Sequence, residues 1–162
     1  GGQNLAPRQH ARLLKPKGTT PQQVYRAVLE YKLRYPGKAV MYSAEGWDRN
    51  GWAVFMAGGS LPNINVKDAF FLKSATIMQP VTKDTTSKQW ILWSGVVGYI
   101  IYDMTGDQVQ VDLKNDKTSF EVRWVNSITG DVQKDKQVVT GGKMDSLTKP
   151  KAGNQVLWLV RK

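Results

Sequence analysis

The chain has no cysteine, a single histidine and no apolar run long enough to cross a bilayer as a helix. Without thiols, neither a disulfide nor a thiolate metal site can form. His10 alone supplies no cluster of imidazole ligands, so neither structural zinc nor a Ser-His-Asp triad is expected. No helical membrane span is available, and no membrane partner is expected. Glycine pairs occur at Gly58–Gly59 and Gly141–Gly142, but neither belongs to a G-x-G-x-x-G or Walker pattern. Both read as turns, and no metal and no cofactor is expected. The opening GGQNLAPRQHARLLKPKG lacks an apolar core of signal-peptide length. Any export signal is therefore expected to have been removed ahead of Gly1 or never to have existed.

Acidic residues are also scarce at one end. Across the first 37 residues Glu30 alone faces Arg8, Arg12, Lys15, Lys17, Arg26, Lys32 and Arg34, whereas later charges are mixed. The formal net charge of +10 is thus concentrated in an N-terminal arm. Such a charge suggests an anionic polymer. The arm, however, has no aromatic residue before Tyr25 to act as a stacking platform, so a solvated basic arm is expected and nucleic acid is not. What remains, 162 residues of which 41% are hydrophobic, is enough for one domain or two small ones.

Pro7, Pro16 and Gly18 predict irregular chain in the arm. The first helix is predicted from Thr20, with Pro21 at its first position and Gln23 completing a capping box. Val24, Ala27, Val28, Tyr31 and Tyr35 mark its buried face, and Pro36–Gly37 ends it. Ala39–Tyr42 reads as a short strand, apolar on both faces and so suited to a covered parallel sheet. An acidic loop with Glu45 and Asp48 follows. Trp52, Phe55 and Met56 then predict a short helix entered near Gly51 and stopped by Gly58–Gly59. Asn65 is the expected cap of a third helix that ends before Pro80.

After the polar stretch 82–88 the hydrophobic period changes to two. Strands are predicted at Trp90–Trp93, Gly98–Asp103, Gln108–Leu113, Ser119–Asn126, Gln137–Thr140 and Gln155–Arg161. Turn signals separate them at Met104–Asp107, Ile128–Asp131 and Thr140–Lys143. The fold class is therefore α+β: a partial α/β, barrel-like and mostly helical segment over residues 1–84, then an antiparallel β-sandwich over 85–162. Trp90, Trp93, Trp124 and Trp158 lie inside apolar runs and are expected in the core. Asp103 and Asp107 are expected to be solvated turn residues.

The blocks VGYIIYDMTGDQVQVDL, FEVRWVNSITGDVQ, VVTGGKMDSLTKP and NQVLWLVRK together resemble the C-terminal β-sandwich appended to many bacterial glycoside hydrolases, often labelled a collagen-binding domain. The likeness covers roughly the last 75 residues. The upstream half resembles the end of the catalytic barrel in such enzymes, through Lys38, Ala39, Val40 and Glu45, then Trp47, then the segment from Gly51 to Ser60. The resemblance implies that Glu45 is the nucleophile of a retaining glycosidase. Beside it Trp47, whose aromatic face fits the C–H face of a pyranose, and Asp48, which departs from the family pattern, are the candidate substrate-binding residues.

Retaining hydrolysis uses two carboxyl groups about 5 Å apart. In the barrel families the second lies on the fourth strand, so the polypeptide is expected to be the C-terminal portion of a larger enzyme and not catalytic by itself. Its implied partners are a polysaccharide or glycan and the missing barrel, and its implied location is secreted or periplasmic. Alternatively it is a non-catalytic carbohydrate- or matrix-binding module. Read without the resemblance, Glu45 is a loop acid or helix cap, and Trp47 a partly buried core residue.

Overall fold

Thr20 starts the first helix as its spacing predicts. In the computed structural model, which describes residues 20–43, 49–82, 88–151 and 153–162, α1 spans Pro21–Arg34. The Thr20 hydroxyl accepts from Gln23 N–H at 3.2 Å, and the Gln23 side chain accepts from Thr20 N–H at 2.9 Å, satisfying two of the free donors at the helix start. Val24, Tyr25, Ala27, Val28 and Leu29 form the buried face. The second helix, α2 (Gly51–Met56), begins where the backbone of Asn63 runs so close to Gly51 that a β-carbon would collide with the Asn63 carbonyl. It ends in a Schellman turn: Gly59 N–H donates to Val54 O at 2.8 Å and Gly58 N–H to Phe55 O at 3.0 Å, with Gly58 at φ +79°.

The chain divides into two units, residues 1–64 and 65–162. The first holds α1, α2 and the segment expected to be a parallel strand. Ala39–Tyr42 is not a strand. Val40 and Tyr42 are buried while Ala39 and Met41 are exposed, so the segment is covered on one side only. A backbone bond from Ser60 N–H to Val40 O at 2.7 Å helps tie it down. Its apolar run was long enough to suggest a doubly covered strand, but the described residues supply no partner strand. The barrel-like reading of this half is thereby overturned.

The second unit is mostly antiparallel sheet. It opens with α3 (Ala69–Ala75), capped by Asp68, whose carboxylate accepts from Phe71 N–H at 2.9 Å. Asn65, the expected cap, instead donates its amide to Ile128 O at 2.6 Å. The strands are β1 (Gln79–Pro80), β2 (Gln89–Ser94), β3 (Gly98–Asp103), β4 (Gln108–Asp112), β5 (Ser119–Asn126), β6 (Val132–Thr140), β7 (Met144–Thr148) and β8 (Gln155–Arg161). Six form one sheet in the order β1-β2-β3-β8-β5-β6, and β4 pairs with β7 in a second. All pairings are antiparallel.

The two sheets share one core, the layering expected of a small sandwich. Ile101, Phe120, Val122, Trp124, Leu157 and Leu159 come from the large sheet, and Val109, Val111 and Leu147 from the small one. On the large sheet's other face, Phe71 of α3 meets Trp158 edge-on at 5.1 Å. This contact, together with β1 pairing on β2, is why residues 65–82 belong with the strands and the division falls ahead of the expected 84/85 boundary.

Gly98 sits at φ +122°, and a β-carbon there would strike the Leu159 carbonyl oxygen across the β3–β8 pairing. Gly106 has a similar φ, +139°, but open space around it. Gly98→Ala is expected to destabilise the protein by about 3 kcal/mol or more, and Gly106→Ala by about 1–2 kcal/mol. Chemical denaturation of the two variants checks the difference, and equal losses would contradict the collision.

Candidate functional site

An open groove of about 1110 Å³ lies in the second unit, between the β2–β3 half of the large sheet and strand β4. Antiparallel register determines its floor. Gln89 pairs with Asp103, Ile91 with Ile101, and Trp93 with Tyr99. Residues two apart point to the same face, so these three pairs line up along about 13 Å of sheet, running from polar through aliphatic to aromatic. Trp93 is 42% exposed.

The side wall is β4. Leu113 N–H donates to Lys143 O and Lys149 N–H to Asp107 O, so the odd-numbered residues of β4 carry the bonds to β7. By the alternation of antiparallel ladders, the backbone groups of Gln108, Gln110 and Asp112 point away from β7, toward the groove. Gln110 O accepts from Gln89 Nε2 at 2.8 Å. The same amide nitrogen donates to Asp103 Oδ2 at 2.5 Å, so Gln89 links the floor to the wall. Asp103, expected to be solvated, is buried: its Oδ1 also accepts from Thr105 N–H at 2.7 Å and from the Thr105 hydroxyl at 2.5 Å. Asp107 is exposed, as expected.

At the aromatic end a charged pair holds the floor in place. Arg161 donates two hydrogen bonds to the Asp116 carboxylate, at 2.9 and 2.7 Å. The Tyr99 hydroxyl donates to the same carboxylate at 3.1 Å, and Thr118 N–H at 3.2 Å. The guanidinium hydrogen bonds hold the Asp116 carboxyl below its ordinary range, against the opposing effect of burial. Burial pushes the Tyr99 phenol up to about 12, helped by the negative charge of Asp116 and by its hydrogen bond to that carboxylate. Tyr99 is therefore a fixed neutral surface beside Trp93.

The residues singled out in the sequence as catalytic or substrate-binding, Glu45, Trp47 and Asp48, lie outside the described residues, as does His10. Among the four tryptophans expected in the core, Trp90, Trp124 and Trp158 are buried, but Trp93 is not. The signal was present: Trp90 and Trp93 are three apart in one strand, so they face opposite sides of the sheet. Only pairing with Tyr99, over a small sheet too short to cover both, shows which side stays open. Among the described residues no cluster of three acidic or histidine side chains is arranged to hold a metal ion.

Comparisons with known proteins add little to this geometry. A family model described as a domain of unknown function (DUF6298) matches residues 1–78, under half of the chain. No curated protein matches. A solved structure of a glycoside hydrolase family 5 protein from Bacteroides vulgatus ATCC 8482 is similar at 14% identity over 92% of this chain, with a TM-score of 0.44. This chain spans 38% of that protein's length, and at such a score the likeness has no bearing on function.

Two titrations follow from the Asp116 cluster. The folded state holds the Asp116 carboxyl below its ordinary value of 3.8, so its stabilisation is complete above that value and is lost as pH falls through the lower, folded one. Asp116→Asn is expected to cost about 2 kcal/mol at neutral pH and to flatten the loss of stability in acid, as read by denaturation at several pH values. The folded state keeps the Tyr99 proton longer than an unfolded chain does, so stability falls as pH rises from 10 to about 12. A phenolate absorbance titration should lose its step near pH 12 in Tyr99→Phe.

Proposed function

We propose that this chain is a non-catalytic, carbohydrate-binding part of a carbohydrate-active protein, secreted or periplasmic, and that the groove over β2 and β3 is its binding surface. One observation carries the reading: an exposed Trp93, paired across strands with a hydrogen-bonded Tyr99, at the end of a floor walled by amides and carboxylates. A pyranose presents one face of C–H groups and a rim of hydroxyls. The C–H face suits an indole, and the hydroxyls suit planar acceptors and donors in the groove lining such as Gln108, Asp112 and Asn115. The outward backbone groups of β4 offer more partners of the same kind. An open groove, unlike a closed pocket, accommodates the interior of a chain polymer.

Two of the four acids that line the groove are engaged within the protein. Its Asp116 carboxylate is occupied by Arg161, Tyr99 and Thr118, and Asp103 by Gln89 and Thr105. Hydrolysis by this polypeptide would rest on Glu45 with Asp48 and Trp47, and the binding reading predicts none. Trp93→Ala is expected to weaken retention in polysaccharide affinity gels by about 2 kcal/mol, roughly thirtyfold, with the protein still folded by circular dichroism. Retention of the wild type that survives this substitution would contradict the groove as the binding surface. Cleavage of aryl glycosides by the chain, abolished in Glu45→Gln, would contradict the non-catalytic reading.

A further inference from the structure

The groove's charge opposes that of the chain. We infer that it selects neutral glycan chains and rejects those bearing carboxylates or sulfates, an inference that rests on the glycan reading above. Asp103, Asp107, Asp112 and Asp116 line the groove, and among the described residues Lys88 is the one cation in its lining. Two of the four acids are tempered locally. Asp116 is paired with Arg161, and the Lys149 ammonium lies 3.1 Å from the Asp103 carbonyl oxygen. Asp107 and Asp112 are exposed and form no ion pair among the described residues.

A polymer seated on Trp93 and Tyr99 shares the groove with these two carboxylates. At physiological salt charges are screened beyond about 8 Å, so the acids of the groove weigh more on a seated chain than basic residues elsewhere in the protein. The net charge of +10 can draw a polyanion to the protein without favouring it in the groove. Polyanion binding at low salt is therefore expected to be independent of Trp93.

The test uses the full chain, immobilised neutral polysaccharides and the carboxymethylated derivative of each, at about 0.15 M salt. Wild type is compared with Trp93→Ala and with the double variant Asp107→Asn/Asp112→Asn. Trp93-dependent binding is expected to favour each neutral polymer over its derivative by about tenfold, the scale of one charge interaction of 1.4 kcal/mol. The double variant is expected to narrow that gap severalfold, and Lys88→Gln, which removes the cation, to widen it. Trp93-dependent binding that is as tight to the carboxymethylated polymers overturns the inference. So does a gap that both charge variants leave unchanged, which would make it steric. If wild type and Trp93→Ala bind every polymer alike, the glycan reading itself fails and the selectivity falls with it.

Discussion

The Asp116 carboxylate is where the second unit is held together. It follows β4, yet it is gripped by Arg161 at the end of β8, by the hydroxyl of Tyr99 in β3 and by Thr118 N–H just before β5. Charge-assisted hydrogen bonds of this kind contribute about 1.5–3 kcal/mol each when shielded from water. The Arg161 and Asp116 side chains are 16% and 12% exposed, so the pair is only lightly screened. The guanidinium also lies over the Phe120 ring at 5.0 Å, at the edge of the shared core. Gly141 must be glycine here, because a β-carbon would collide with the Asp116 carbonyl. One loop acid thus connects the small sheet, the large sheet and the surface that the groove presents.

The groove follows from a mismatch in coverage. The large sheet has six strands and the sheet lying over it has two. Beneath β4 and β7 the inward residues of β8 and β5 are fully buried. Further out, over β2 and β3, the same face emerges from cover, and Ile91, Trp93 and Tyr99 are left partly or largely open. An apolar face of this kind on a folded domain marks a surface of contact. Here it is bounded by polar side chains held in fixed positions, which favours a ligand with both C–H faces and hydroxyls.

How much of this was legible in the sequence depended on whether the information was local. The capping box at Thr20 and the strands Gly98–Asp103, Ser119–Asn126 and Gln155–Arg161 were predicted with their observed bounds, because cap chemistry and period-two alternation are properties of adjacent residues. Strand β7, whose only buried residue is Leu147, carried too little apolar signal to be seen. Strand β6 begins at Val132, five residues before the expected start, since pairing with β5 rather than hydrophobicity makes the run through Lys134 and Lys136 a strand. Ala39–Tyr42 erred in the other direction: β-type composition without a neighbour to pair with. The groove was the least legible feature, because the exposure of Trp93 depends on which strands lie over it, and that is set by long-range topology.

The central claim is that Trp93, and not the segment around Trp47, meets the glycan. The chain contains six tryptophans, and their indole N–H groups can be followed individually in a nitrogen–proton correlation spectrum of the labelled protein. On titration with a polysaccharide that the protein retains, the account predicts that the Trp93 indole resonance shifts in proportion to saturation while that of Trp47 stays in place. A shift of Trp47 with Trp93 unmoved would contradict it.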